Sequence, residues 1–209
     1  MIPQFPVYLF DVDGTLLDSA ADICGAIQSV LAARQCAVTD DLLLRYIGRH
    51  LNDLFLDLLP ELSPEQMDEM VADYRRVYHG RNHSSTRAYP GVAEALASLP
   101  GRKSTATTKG TPTTRLVLEK FGLIDYFDHV QGTDGFPAKP SPDVIFASLQ
   151  ALGADREDCL LIGDSAADME AGRRAGIKTC AVLWGYGTRE ALAEWQPDYW
   201  LSDPSELAV

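Results

Sequence analysis

Hydrophobic positions along the chain follow two different rhythms. Val7 to Phe10 is an unbroken apolar run ending on Asp11, the pattern of a strand buried on both faces of a parallel sheet. Asp18 and Ser19 then stand where a helix cap belongs, and Ile23, Ile27, Val30 and Leu31 follow at helical spacing. Leu43, Ile47, Leu51, Leu54, Phe55 and Leu58 continue the three- and four-residue rhythm, and Pro64 opens a further predicted helix through Tyr78. No strand-like alternation interrupts this stretch up to about residue 80.

The rhythm changes after the polar run 81–87 and Tyr89-Pro90-Gly91. A helix is expected from Pro90 to about Leu99, a strand over Lys103–Thr107, a helix over Thr111–Phe121 and a short strand near Val130. Ser141-Pro142 reads as an N-cap followed by proline at the first helical position, opening a helix through about Leu152. An apolar strand at Cys159–Ile162, a helix from Ser165 to Ala175 and a strand at Lys178–Leu183 complete the alternation. Right-handed crossovers then give an α/β fold, a doubly wound parallel sheet with helices on both faces. The helical stretch after the first strand, ~70 residues, exceeds any ordinary crossover and reads as an inserted all-helical cap. The expected division is 1–16 and 88–209 for the core and 17–87 for the cap, with hinges at 15–19 and 81–89.

Composition narrows the class. With 209 residues, 46% hydrophobic and 23% charged, the chain has material for a packed core and is neither disordered, collagen-like nor a small disulfide scaffold. Thirty acidic against 18 basic residues give a net charge of −12, a field that repels nucleic acid and anionic membranes. An anionic substrate therefore needs a local cationic counterweight. Cys24, Cys36, Cys159 and Cys180 show no metal-finger spacing and are expected to be reduced thiols. The first residues lack a basic segment ahead of an apolar one, and no run approaches a membrane span, so a cytoplasmic protein is expected.

The candidate chemistry is acidic. Asp11-Val12-Asp13-Gly14-Thr15 directly follows the first strand, and ligands of open parallel sheets gather at the carboxyl ends of strands. Asp164 stands at the end of another apolar strand and Asp168 in the first turn of the next helix, so several carboxylates converge on one sheet edge. Each has a simpler local explanation, a turn or cap for Asp164 and dipole compensation for Asp168. Together they suit Mg²⁺, which prefers hard oxygen ligands and leaves room for a phosphate. A calcium loop does not fit, because its sixth and twelfth positions are Leu16 and Asp22. Thr107 closes a strand and Lys139 precedes a helix at the same edge, a hydroxyl and an ammonium suited to phosphate oxygens. The sequence holds no P-loop, dinucleotide-binding glycine pattern, nucleophile elbow or HExxH.

In that order, Asp11-Val-Asp-Gly-Thr, Thr107, Lys139-Pro-Ser-Pro and Gly163-Asp-Ser-Ala-Ala-Asp168 resemble the four motifs of the haloacid dehalogenase-like hydrolases. Tyr89-Pro90-Gly91-Val92, Ala106-Thr107-Thr108-Lys109, Ala175-Gly176-Ile177 and Trp184-Gly185-Tyr186-Gly187 are similar to segments of the phosphoglycolate phosphatase-like branch, although Thr108 stands where that branch usually has asparagine. The resemblance covers nearly the whole chain and implies a Rossmann-like core with a helical cap. It implies Asp11 as nucleophile, Asp13 as acid and base, and Mg²⁺ held by Asp11, Asp13 through its carbonyl, Asp164 and Asp168. It also implies phosphate contacts from Gly14, Thr107, Thr108 and Lys139, with Arg49 and His50 of the cap facing the substrate. Arg81 and His83 are weaker cap candidates. The implied reaction is hydrolysis of a small phosphorylated metabolite, first of all 2-phosphoglycolate. A sugar phosphomutase, an inorganic pyrophosphatase and a metal-binding interaction module are the alternatives. Because Asp13 is present, carbon–halogen cleavage is not expected.

Overall fold

A computed structural model of the chain describes residues 2–207. The strand β1, Val7–Phe10, is wholly buried. It pairs in parallel with β4, Arg102–Thr105, on one side and with β5, Cys159–Gly163, on the other, Phe10 lying opposite both Thr105 and Ile162. β6, Lys178–Val182, and β7, Tyr199–Leu201, extend the sheet to the order β4-β1-β5-β6-β7, parallel throughout. The chain passes from β1 to β4 and then back across to β5, so the carboxyl end of β1 is a topological switch point, where such sheets bind ligands.

The two-residue period of the strands distributes their side chains between two apolar layers. Tyr8, Phe10, Leu160 and Ile162 pack with α5, Val92–Ser98, and α6, Thr111–Lys120. Val7, Leu9 and Leu161 pack with α7, Asp143–Leu152, and α8, Ala166–Ala175, on the opposite face.

Between β1 and α5 lie four helices, α1 Ala20–Ala32, α2 Asp40–Leu44, α3 Leu51–Leu58 and α4 Pro64–Gly80. Their apolar stripes meet in a separate cluster that includes Ile27, Leu31, Leu43, Leu54, Phe55 and Met70. A reciprocal cap between Ser63 and Gln66, with Pro64 behind it, starts α4. The strands leading in and out, β2 at Leu17–Asp18 and β3 at Arg87–Ala88, pair antiparallel with each other. Among the described residues no helix is long and apolar enough to cross a membrane.

Several local expectations need correction. The strand expected near Val130 is reduced to one bridge between Ser104 and His129. Side chains occupy that outer edge of β4: the Asp128 carboxylate accepts from Lys103 N at 2.8 Å, and Thr105 Oγ1 exchanges two hydrogen bonds with Gln131 backbone. α5 begins two residues after Pro90, because Gly91 takes a left-handed φ of 86° as its cap. Pro142, not Ser141, caps α7, the Ser141 hydroxyl being turned to the Asp143 carboxylate.

Candidate active site

Asp11 continues the line of β1, its amide donating to Ile162 O at 2.9 Å, and the residue is only 1% exposed at the switch point. The chain then doubles back: Leu16 and Leu17 amides both donate to Val12 O, and Gly14 takes a φ of 92°. Only glycine fits there, since a Cβ would fall 2.2 Å from Asp164 Oδ2. That close approach lets Thr15 Oγ1 donate to Asp164 Oδ1 at 3.0 Å, while Tyr186 N donates to Oδ2 at 2.8 Å. From the sequence Gly14 is expected to bind substrate; its amide donates to Leu17 O at 2.8 Å, and its lack of a side chain leaves room for Asp164.

On α8, Asp168 forms a capping box with Ser165, and its other oxygen meets Lys139. Lys139 Nζ also donates to Asp11 Oδ1 at 2.7 Å, both side chains being almost inaccessible. Carboxylate oxygens of Asp11, Asp164 and Asp168 lie within 4.8 Å of one another. Residues up to 157 positions apart thus converge, as the sheet order requires.

The electrostatics of this cluster are unbalanced. Burial raises the Asp11 carboxyl despite Lys139, and Asp168 and Asp13 add to the rise. Burial raises Asp164 as well, reinforced by Asp11 and Asp168, against the hydrogen bonds from Tyr186 and Thr15. For Lys139 burial alone would lower the ammonium, but Asp11 and Asp168 outweigh it and the net shift is upward. Of the three buried carboxylates only Asp11 and Asp168 contact the Lys139 ammonium, and Asp11 Oδ2 has no hydrogen-bond partner among the described residues. An orphaned buried oxygen beside excess negative charge, in an all-oxygen donor set, fits a hard divalent cation.

Asp13 is oriented differently. Its Oδ1 accepts from Ser19 Oγ at 2.6 Å and its Oδ2 pairs with Lys109 Nζ at 3.1 Å. The carboxylate therefore lies outside the three-aspartate group, leaving its backbone carbonyl as the part the resemblance assigns to metal. Lys109, to which the sequence assigns no role, has a side chain only 8% exposed, donates to the Tyr78 hydroxyl at 3.0 Å and sits 4.6 Å from that ring's centroid. Its position two residues beyond Thr107 is the one sequence signal that could have found it. Thr107 is fully buried after β4; its Oγ1 accepts from Lys109 N, so its hydroxyl proton is left to donate.

Asp13, Thr108 and Lys109 line a cavity of about 180 Å³ together with Arg49 and His50, just before α3, and Tyr74 on α4. Arg49 stacks over the Tyr46 ring at 4.9 Å, and His50 caps α3 with Nδ1 accepting from Asn52 N at 3.2 Å. Arg81 and His83 take no part in this wall. Arg81 is bound to Asp22 at 3.2 Å, and His83 is buried edge-on against Tyr78, 5.0 Å between ring centroids.

Strand-end carboxylates with a buried lysine at the switch point of a parallel sheet define a hydrolase of a particular kind. A family model described as haloacid dehalogenase-like hydrolase matches residues 8–182, and the chain belongs to that family. It is similar to a phosphoglycolate phosphatase of Aquifex aeolicus, 36% identical over 208 residues and covering 96% of this chain and 94% of the relative. It is also similar to the pyrophosphatase PpaX of Listeria monocytogenes, 34% identical over 214 residues with 99% and 96% covered. Among solved structures, a haloacid dehalogenase-like family hydrolase from Streptococcus pneumoniae superposes with a TM-score of 0.87 at 28% identity, covering 97% and 96%. The chain lies in the phosphoglycolate phosphatase-like branch and is an enzyme of the phosphatase class.

Proposed function

We propose that this enzyme is a Mg²⁺-dependent phosphomonoesterase that hydrolyses a small phosphorylated metabolite, first of all 2-phosphoglycolate, through a phosphorylated Asp11. The observation that carries this reading is the unpartnered Asp11 Oδ2 beside a second, differently oriented carboxylate, Asp13. Asp11 attacks phosphorus as the bond to the leaving oxygen breaks, and Asp13 gives that oxygen a proton. In the second half a water, its proton taken by Asp13, attacks the same phosphorus; the bond to Asp11 breaks and the carboxylate is restored. Lys139 and the hydroxyls of Thr107 and Thr108 hold phosphoryl oxygens. Asp11, Asp164 and the Asp13 carbonyl would hold the cation, with Asp168 ligating or orienting its water. Bound there, Mg²⁺ supplies the charge that lets an anionic nucleophile approach an anionic phosphate.

We take residues 17–87 as a cap that closes over the leaving group and excludes water; the separate apolar cluster of its helices and the pairing of its two connections support this. Arg49 and His50, on the cap side of the cavity, would meet the leaving group, a local cationic contact within a chain of net charge −12. The relatives named as pyrophosphatases favour inorganic pyrophosphate as a second substrate reading. A cytoplasmic setting belongs to the same proposal and is supported by four unpaired cysteines.

The test is phosphate release from a panel of 2-phosphoglycolate, hexose phosphates and pyrophosphate with Mg²⁺. Preferential release from 2-phosphoglycolate is expected. Preference for pyrophosphate selects the second reading, isomerisation of a hexose phosphate without release shows a mutase, and no turnover of any compound leaves a binding module.

A further inference from the structure

The segment Trp184–Gly187, after β6, is not used by the chemistry above, yet it connects both halves of the site. Trp184 Nε1 donates to Thr15 O at 2.9 Å, and a Cβ on Gly185 would fall 2.3 Å from Gly14 O and 2.4 Å from Asp164 Oδ2. With the backbone packed that closely, Tyr186 N reaches Asp164 Oδ2, and the Tyr186 ring extends toward the start of α1. There its hydroxyl accepts from Ser19 N at 2.7 Å and from Ala20 N at 2.9 Å, and donates to Asp18 Oδ1 at 3.0 Å. The direction of each bond is fixed by chemistry. Two amides can only donate, so they take both oxygen lone pairs, and the single phenolic proton goes to the carboxylate.

This arrangement lies beside an anomaly at α1. Ser19 stands at the cap position of that helix, but its side chain makes no capping hydrogen bond, because the hydroxyl is directed to Asp13 Oδ1 at 2.6 Å. The first amides of a helix have no acceptor within it, and the Tyr186 oxygen, from 166 and 167 residues away, takes those of Ala20 and Ser19, amides that precede the ones a Ser19 side-chain cap would take. The ring thereby fixes the backbone of the residue whose hydroxyl holds Asp13.

We propose that Tyr186 is a positioning residue for the acid and base: by holding the Ser19 and Ala20 amides it fixes the residue whose hydroxyl orients the Asp13 carboxylate toward the leaving oxygen. This rests on the role given above to Asp13, and the test separates the two. Only a poor leaving group needs a proton from Asp13, so the informative quantity is the ratio of kcat/KM for an alkyl monoester to that for an aryl monoester. The probes are the alkyl phosphate that wild type turns over fastest, starting with 2-phosphoglycolate, and 4-nitrophenyl phosphate. Measured on one sample, the ratio is independent of the fraction folded, so a weakened variant is still informative.

Tyr186→Phe is expected to lower the ratio by about tenfold, a fraction of what a general acid contributes. Ser19→Ala should lower it similarly, and adding Tyr186→Phe to Ser19→Ala should lower it little further, because both act through one contact. An unchanged ratio in Tyr186→Phe overturns the proposal, as does an undiminished effect of that substitution in the Ser19→Ala background. If Asp13→Asn itself leaves the ratio at the wild-type value, the acid role of Asp13 is what fails, and the proposal goes with it.

Discussion

Asp11 combines three properties that a nucleophile at this sheet edge needs: burial, a lysine on one oxygen and no partner on the other. Replacing it with asparagine keeps the shape but removes the attacking oxygen. Turnover should therefore fall by on the order of a thousandfold or more while the circular dichroism spectrum is unchanged, and a wild-type rate would rule the nucleophile out. Gly14→Ala tests the packing behind it. At a φ of 92° with a Cβ 2.2 Å from Asp164 Oδ2, the substitution must displace Asp164, and the Mg²⁺ concentration for half-maximal activity should rise about tenfold; no change would show that Asp164 is not held through this glycine. Asp11, Lys139, Asp164 and Asp168 could be read from the sequence because each ends a strand or flanks a helix start. Lys109, Ser19 and Tyr186 could not, since their roles depend on side chains that reach across folded elements. Tyr186 in particular touches residues 166 and 167 positions away.

Among elements, the return connection from the helices to the core is tied to α1 by Asp22. Its fully buried carboxylate accepts from Thr86 Oγ1 at 2.8 Å, Ser85 N at 2.9 Å and Arg81 Nε at 3.2 Å. Burial alone would raise this group, but the hydrogen bonds from Thr86, Ser85 and Arg81 outweigh it and hold it below the ordinary 3.8. A depressed carboxyl stabilises the fold above the unfolded-state value and loses that contribution as the pH falls through the folded one. Asp22→Asn should therefore unfold at lower denaturant than wild type near neutral pH, by about 2 kcal/mol, with the difference shrinking below pH 3.8. A gap that is constant down to the acid transition would contradict this. Element by element, long periodic helices and fully buried strands were legible. β7, β2 and β3 were not, being two or three residues long, too short for a period to show. The Val130 strand failed because Asp128 and Thr105 side chains satisfy backbone groups that a ladder would have used.

At the scale of the whole molecule, a chain of net charge −12 concentrates three buried carboxylates, two of them on Lys139, at the carboxyl edge of its sheet. Self-repulsion of that kind is relieved by a bound dication, so Mg²⁺ should raise the thermal midpoint, approaching about 2.7 kcal/mol of stabilisation at a hundred times its dissociation constant. A midpoint insensitive to Mg²⁺ would speak against the cation. The fold class followed from the alternation of strands and helices, whereas the cavity between the helices and the sheet depends on how two apolar clusters settle against each other, which no local pattern encodes. The account as a whole turns on carboxylates from distant parts of the chain acting through one cation. Its most direct test is phosphate release from 4-nitrophenyl phosphate before chelation, after EDTA and after restoring Mg²⁺: activity should vanish with EDTA and return with Mg²⁺, and turnover that EDTA leaves untouched would contradict it.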